Sequence, residues 1–331
     1  MSKGQDFILS VENLKTRFGS DRDGATVVDG VSFALKPGLT TALVGESGSG
    51  KSATALSVMR LIDPPGRIIS GKVLFEGVDL LTASEREMET IRGARIGMIF
   101  QDPLTSLNPA LTIGRQISEA ILAHHDITPA AAQRQAIELL TRVGVQDATQ
   151  RIHDYPHHFS GGMRQRVLIA AAISCSPSII IADEPTTALD VTVQAKILRL
   201  LHNLQKEMHA SLLLITHDLG VVASMADEVL VMYAGRIVER ADVDTLFHQP
   251  GHPYTKALFA CVSGIEDDRN TPLEPIAGSA PDLRSPPTGC RFAPRCNMAR
   301  DICWTQDQPL VPVSDSHSVA CILAQTEATH G

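Results

Sequence analysis

At 331 residues the chain allows one large domain and a smaller one. Its 44% hydrophobic and 20% charged content are those of a soluble globular protein, and a net charge of −8 with a pI near 5.8 disfavours nucleic acid as the main partner. No apolar run approaches the ~20 residues of a membrane helix, and Met1–Asp6 lacks the apolar core of a signal peptide. The expectation is a cytosolic chain whose membrane association comes through partners.

Phe7 to Leu14, Val27 to Leu35 and Lys72 to Glu76 alternate or carry β-branched residues, which predicts an antiparallel β subdomain. Phe18 lies in the first of these sheets, as an adenine-stacking aromatic or as a plain core phenylalanine. The strand-like run Thr40–Val44 enters Gly45-Glu46-Ser47-Gly48-Ser49-Gly50-Lys51-Ser52, and a helical segment from Lys51 to about Leu61 leaves it. This strand, loop and helix fit G-x-x-x-x-G-K-[ST], a phosphate-binding loop. The glycines allow a close backbone approach, so amide N–H groups can point at a β-phosphate at the positive end of the helix. Lys51 is expected to reach the β- and γ-phosphates of ATP, and the Ser52 hydroxyl to ligate Mg²⁺.

Ile96–Phe100 reads as a strand ending at Gln101, and about Ile113 to Ser160 is helix-rich, with Ala136-Ile137-Glu138-Leu139-Leu140 at helical spacing. Phe159-Ser160-Gly161-Gly162-Met163 then opens another helix; Ser160 suits an N-cap, and the glycines leave the amides open to a second anion. Ile179-Ile180-Ile181 reads as a strand buried on both faces. At its C-terminal end, where α/β sheets place ligands, stand Asp183, suited to the outer sphere of Mg²⁺, and Glu184, suited to polarising an attacking water. Ser211–Thr216 is another apolar strand, ending in His217. Glu228–Tyr233 and Arg236–Glu239 flank Ala234-Gly235, a two-residue hairpin signal.

After about residue 265 the composition changes. Asn270 to Thr288 holds five prolines and reads as a linker or an extended wrap. It leads to Cys290, Cys296, Cys303 and Cys321, four of the six cysteines of the chain; Cys175 and Cys261 sit apart and are expected to be small buried side chains. Clustered cysteines in a cytosolic chain favour a metal over disulfides. Four thiolates could hold Zn²⁺ or an iron–sulfur cluster, and the spacing chooses neither. His317 is an outside candidate ligand, and is more readily a group behind the ligands than one of them.

These segments together resemble the ATP-binding cassette (ABC) ATPases over about residues 7 to 260. Ser160-Gly161-Gly162 is similar to the family's signature loop, with Phe159 and Met163 departing from the LSGGQ consensus; Ala188-Leu189-Asp190 is similar to its D-loop and Gln101 to its Q-loop glutamine. The resemblance implies an α/β fold: a P-loop NTPase cassette with a RecA-like core, an antiparallel β subdomain and a helical subdomain at about 113–162, in all residues 1–265. It implies that Glu184, His217 and Gln101 serve hydrolysis, that His217 binds the γ-phosphate, and that Gln101 senses Mg²⁺. Ser160, Gly161, Gly162 and Asp190 would serve the nucleotide across a head-to-tail pair of cassettes, the second subunit being a copy or a paralogue.

The tail, Gln101–Pro109, Asp154–His157 and Gly251–Thr255 are similar to segments of peptide and nickel importer ATPases. For residues 266–331 that likeness implies a small Cys-rich extension carrying a [4Fe–4S] cluster, with Zn²⁺ as the alternative. It also implies an importer motor on the cytoplasmic face of the membrane, working with two transmembrane permease subunits and a substrate-binding protein, for di/oligopeptides or alternatively nickel or another small solute. A redox- or metal-regulated ATPase outside transport is the remaining reading.

Overall fold

The computed structural model describes residues 7–20, 22–187, 189–263 and 276–328. It comprises two compact units, one of Met1–Leu35, Thr40–Leu81 and Thr216–Gly331, the other of Lys36–Leu39 and Thr82–Ile215.

The first unit holds an antiparallel sheet in the order Ala25–Leu35, Leu9–Phe18, Gly66–Phe75, Val78–Asp79. Leu9 faces both Leu35 and Phe75, and Leu9 and Val11 are buried at the alternate spacing of a one-sided strand. Simple alternation would turn Leu14 outward. A bulge between Val11 and Leu14, with Asn13 at φ 48° and its N–H on Ser32 Oγ, adds the residue that returns Leu14 to the core.

The same unit contains a mixed sheet. Thr40–Val44, buried throughout, lies parallel to Glu228–Tyr233, which pairs antiparallel with Arg236–Asp242. The expected hairpin is present: Tyr233 pairs with Arg236, and Ala234 and Gly235 both take positive φ, as a type I′ turn demands. Beyond the sequence reading, the C-terminal segment extends this sheet. His317–Val319 pairs with Arg236–Asp242, and Val311–Ser314 pairs with His317–Val319. Ile276 and Leu283, from the Pro-rich stretch, and Phe292 join the core formed by Val44, Val231, Tyr233 and Tyr254. The described part of that stretch is therefore a wrap; Pro272 and Pro275 lie outside the described residues.

In the second unit Ile96–Ile99, Ile179–Asp183 and Ser211–Thr216 form a parallel array in register, Ile96 against Ile179 and Asp183 against Ile215. All of Ile179–Asp183 is buried, which accounts for its unbroken apolar run. The helices Ile113–His124 and Pro129–Arg142 bury Ile113, Ile117 and Ile121 and Ala132, Ala136 and Leu140, every fourth residue in each. Thr112 and Thr128 cap them, accepting from Arg115 N–H and Ala131 N–H. Among the described residues no helix is long and apolar enough to cross a membrane.

Candidate functional site

The phosphate loop lies in the first unit, between Thr40–Val44 and the helix Lys51–Val58. At Gly45 an added Cβ would run into the Met232 carbonyl oxygen, and at Gly50 into that of Val27, so the loop can run where it does only with glycine at both. Gly50, in the left-handed region, starts the helix without a side-chain cap, and the positive end of the helix dipole lies at the loop. Ser47 and Gly48 are exposed, whereas Ser49 is buried with its hydroxyl unpaired. The Lys51 side chain is buried, and its ammonium donates to the carbonyls of Gly45 (2.9 Å) and Glu46 (3.0 Å), holding the charge over the loop. Ser52, next in the helix, is half-buried. The loop thus gathers a buried ammonium, a helix start and a neighbouring hydroxyl, the donor set that suits a polyphosphate anion.

The loop is also braced from outside. Glu46 N–H donates to Tyr254 Oη at 2.8 Å, and its carboxylate takes a two-pronged pair from Arg295 at 2.7 and 2.9 Å. Gly235 N–H donates to the Ser49 carbonyl at 2.7 Å. Phe18 ends its strand half-buried, and a Cβ on Gly66 would meet its ring edge at 2.7 Å. His217 is exposed just after its strand, and Asp218 caps the following helix Leu219–Met225.

In the second unit Asp183 is buried and Glu184 half-buried, with Glu184 at φ 45°. This unusual backbone is held by Glu184 N–H bonding the Ile215 carbonyl. The Glu184 carboxylate accepts from Gln101 Nε2 at 3.0 Å and Thr187 Oγ1 at 2.9 Å. Two residues 83 apart in sequence, each expected to serve hydrolysis, thus touch. Thr187 is a partner that sequence reasoning missed.

Ser160 stands at the N-cap of the helix Gly161–Ala172, but its hydroxyl makes no cap bond. The expected cap is present in backbone position only, since the hydroxyl accepts no N–H of the first turn. Gly162 packs where a Cβ would strike Val193, and Gly161 faces Leu189. The two departures in the signature loop are accommodated by one side chain. Arg151 lies 4.3 Å over the Phe159 ring and donates to Met163 Sδ. Asp190 caps the helix Val191–Met208 through Val193 N–H; Ala188 lies outside the described residues.

The four tail cysteines line one small pocket with His252, Phe292 and Met298. Burial pushes the thiols of Cys290, Cys296 and Cys321 up. Among the described residues, however, no group of three or more His, Cys, Asp or Glu is arranged to hold a metal ion. The expected metal centre, zinc or iron–sulfur, is therefore not supported by this arrangement. His317 is not a ligand candidate. Its Nε2 sits 2.7 Å from the Glu239 carboxylate, which also takes the N–H groups of Gly251 and His252. His252 is fully buried, and desolvation pushes it down to about 4 against the pull of the Glu239 charge. Cys175 is half-buried rather than buried, its thiol on the Ala120 carbonyl; the Cys261 side chain lies outside the described residues.

A family model described as "ABC transporter" matches residues 28–187, and one described as "Oligopeptide/dipeptide transporter, C-terminal region" matches 238–303. The chain is 49% identical over 322 residues to the oligopeptide transport ATP-binding protein OppD of Bacillus subtilis (strain 168), covering 97% of this chain and 90% of that one. It is 49% identical over 324 residues to the dipeptide transport ATP-binding protein DppD of the same organism, covering 98% and 96%. Among solved structures, the dimeric post-hydrolysis state of the ATP-binding cassette MJ0796 bound to ADP and Pi matches with a TM-score of 0.64 at 25% identity, covering 71% of this chain and 98% of that one. The chain belongs to the ABC transporter ATPases and has their cassette fold. Within that class it is one of those with the oligopeptide/dipeptide transporter C-terminal region.

Proposed function

We propose that this chain is the ATP-hydrolysing motor of a di/oligopeptide importer, bound peripherally at the cytoplasmic face of the membrane. What carries this reading is the near-complete alignment, at 49% identity, with peptide-transport ATP-binding proteins. In this mechanism Lys51, Ser52 and the loop amides hold the triphosphate and Mg²⁺, and Asp183 orders the outer sphere of the ion. Glu184, oriented by Gln101 and Thr187, takes a proton as water oxygen bonds the γ-phosphorus and the bond to ADP breaks. His217 steadies the γ-phosphate. Phe18 stacks on adenine.

One cassette lacks half of each site, so a second, self or paralogue, meets it head to tail. The uncapped Ser160 hydroxyl, with Gly161 and Gly162, then faces the partner's ATP, and Asp190 lies beside the junction. Residues 1–265 form the cassette, with the helical subdomain at about 113–162, and 266–331 the extension. Two permease subunits and a substrate-binding protein complete the complex. Reconstituted with them in proteoliposomes, the chain is expected to drive ATP-dependent uptake of labelled oligopeptide. Uptake of nickel but not of peptide would overturn the substrate assignment.

For the tail we propose that Cys290, Cys296, Cys303 and Cys321 together hold a [4Fe–4S] cluster. What supports it is that the four cysteines line one small pocket, although among the described residues they do not stand at metal-ligand spacing. Anaerobically purified chain should be brown with about four irons per chain. One zinc and no iron would replace the cluster with a tetrahedral site, and two disulfides with no metal would defeat both.

A further inference from the structure

The tail segment Cys290-Arg291-Phe292-Ala293-Pro294-Arg295-Cys296 does more than carry two cysteines. A 3-10 turn at Ala293–Arg295, with Cys290 N–H tied to the Cys303 carbonyl, sends its cysteines to the pocket and its arginines the other way. The Arg295 side chain is only 5% exposed and is fixed by several partners at once. Besides Glu46 it donates to the carbonyls of Ile276 and Ala277 and to Tyr233 Oη, and its guanidinium lies 5.8 Å from the Tyr233 ring. Arg291 donates to the Ala234 carbonyl and pairs with Asp29, and the neighbouring Gly235 N–H holds the Ser49 carbonyl. Phe292, between them, packs edge-on against Tyr233 and lies 5.5 Å from Tyr254, the residue that takes the Glu46 N–H. One seven-residue stretch therefore braces the phosphate loop at Glu46 and, through the Ala234–Gly235 turn, at Ser49.

The brace has an electrostatic purpose as well as a steric one. Glu46 is a carboxylate inside a loop whose task is to hold a polyphosphate. Left unpaired, it repels the ligand and is free to turn toward the Lys51 ammonium, competing with phosphate for it. A two-pronged guanidinium on a buried stem neutralises the carboxylate and points it away.

We propose that Arg295 is a positioning residue for ATP: by holding Glu46 it couples the cysteine-bearing tail to the phosphate loop, so that the tail sets the affinity of the loop for triphosphate. This rests on the reading that the loop binds ATP. Linkage then requires the converse, that bound ATP stabilises the tail by the same factor.

The test uses the full chain with Mg-ATP. Wild type should bind, and Lys51→Ala should not; failure there would remove the nucleotide reading itself and leave nothing for Arg295 to position. Given binding, Arg295→Ala should raise the Kd, and the KM of the assembled transporter, by ~5–50-fold, with kcat at saturating ATP kept within about threefold. Arg295→Lys, with one prong, should recover part of the loss. Adding Glu46→Gln to Arg295→Ala should restore much of the lost affinity, because the unpaired carboxylate is what repels the phosphate. An unchanged Kd in Arg295→Ala, or a double variant that binds no better than it, would overturn the coupling. Should Arg295→Ala not fold, wild type decides alone: Mg-ATP must slow amide exchange in residues 290–296, and exchange indifferent to ATP refutes the proposal.

Discussion

Glu184→Gln should bind ATP as wild type does and hydrolyse it ~10²–10⁴-fold more slowly in the assembled transporter. The substitution keeps shape and leaves one oxygen to accept from Gln101 and Thr187, so the loop geometry survives. What it removes is the negative charge and the site for the proton of the attacking water. Binding and chemistry should therefore separate, with normal nucleotide affinity and almost no phosphate release. Because nothing remains to open the closed cassette pair, the variant should also collect as an ATP-bound dimer. Phosphate release within threefold of wild type would remove Glu184 from the reaction and direct attention to His217.

The opposite separation is expected at the phosphate loop. Lys51→Ala deletes the ammonium that the Gly45 and Glu46 carbonyls hold over the loop, and leaves the triphosphate with only neutral donors there. A hydrogen bond to a charged group contributes about 1.5–3 kcal/mol, and Lys51 is placed to make two. The Kd for Mg-ATP should accordingly rise by roughly 100-fold or more. Direct titration of the full chain measures this without any need for the membrane partners. A Kd within threefold of wild type would mean that the loop does not take the β- and γ-phosphates.

Much of the nucleotide half was legible in the chain because its signals are local. Gly45 and Gly50 stand where a side chain would hit a carbonyl, and the unbroken isoleucines before Asp183 are what a strand covered on both faces requires. The Ala234–Gly235 hairpin was legible for the same reason, since its turn chemistry is contained in two residues. The rest depends on contacts that no window of sequence contains. Arg295 and Glu46 are 249 residues apart, and His317 and Glu239 are 78 apart, so neither pair leaves a periodic trace. A histidine four residues before a cysteine invites a metal assignment, while its true partner is a carboxylate on a distant strand. The tail strands Val311–Ser314 and His317–Val319 are too short, and one too proline-marked, to be read as strands. Thr187 was missed because nothing about a threonine after Glu-Pro-Thr announces that its hydroxyl will steady the glutamate.

Glu239, with no solvent exposure, carries a further meaning. Its carboxylate is the meeting point of three stretches: its own strand, the run that begins 12 residues on at Gly251, and His317, 78 residues on. A buried carboxylate stripped of one partner is far more costly than one never buried. The three stretches must therefore drift together over evolutionary time, each change in one constrained by the other two. The tail is for the same reason a poor unit of recombination. Grafted onto a cassette without the matching glutamate, or removed from one that has it, it would strand either an imidazole or a carboxylate in the interior.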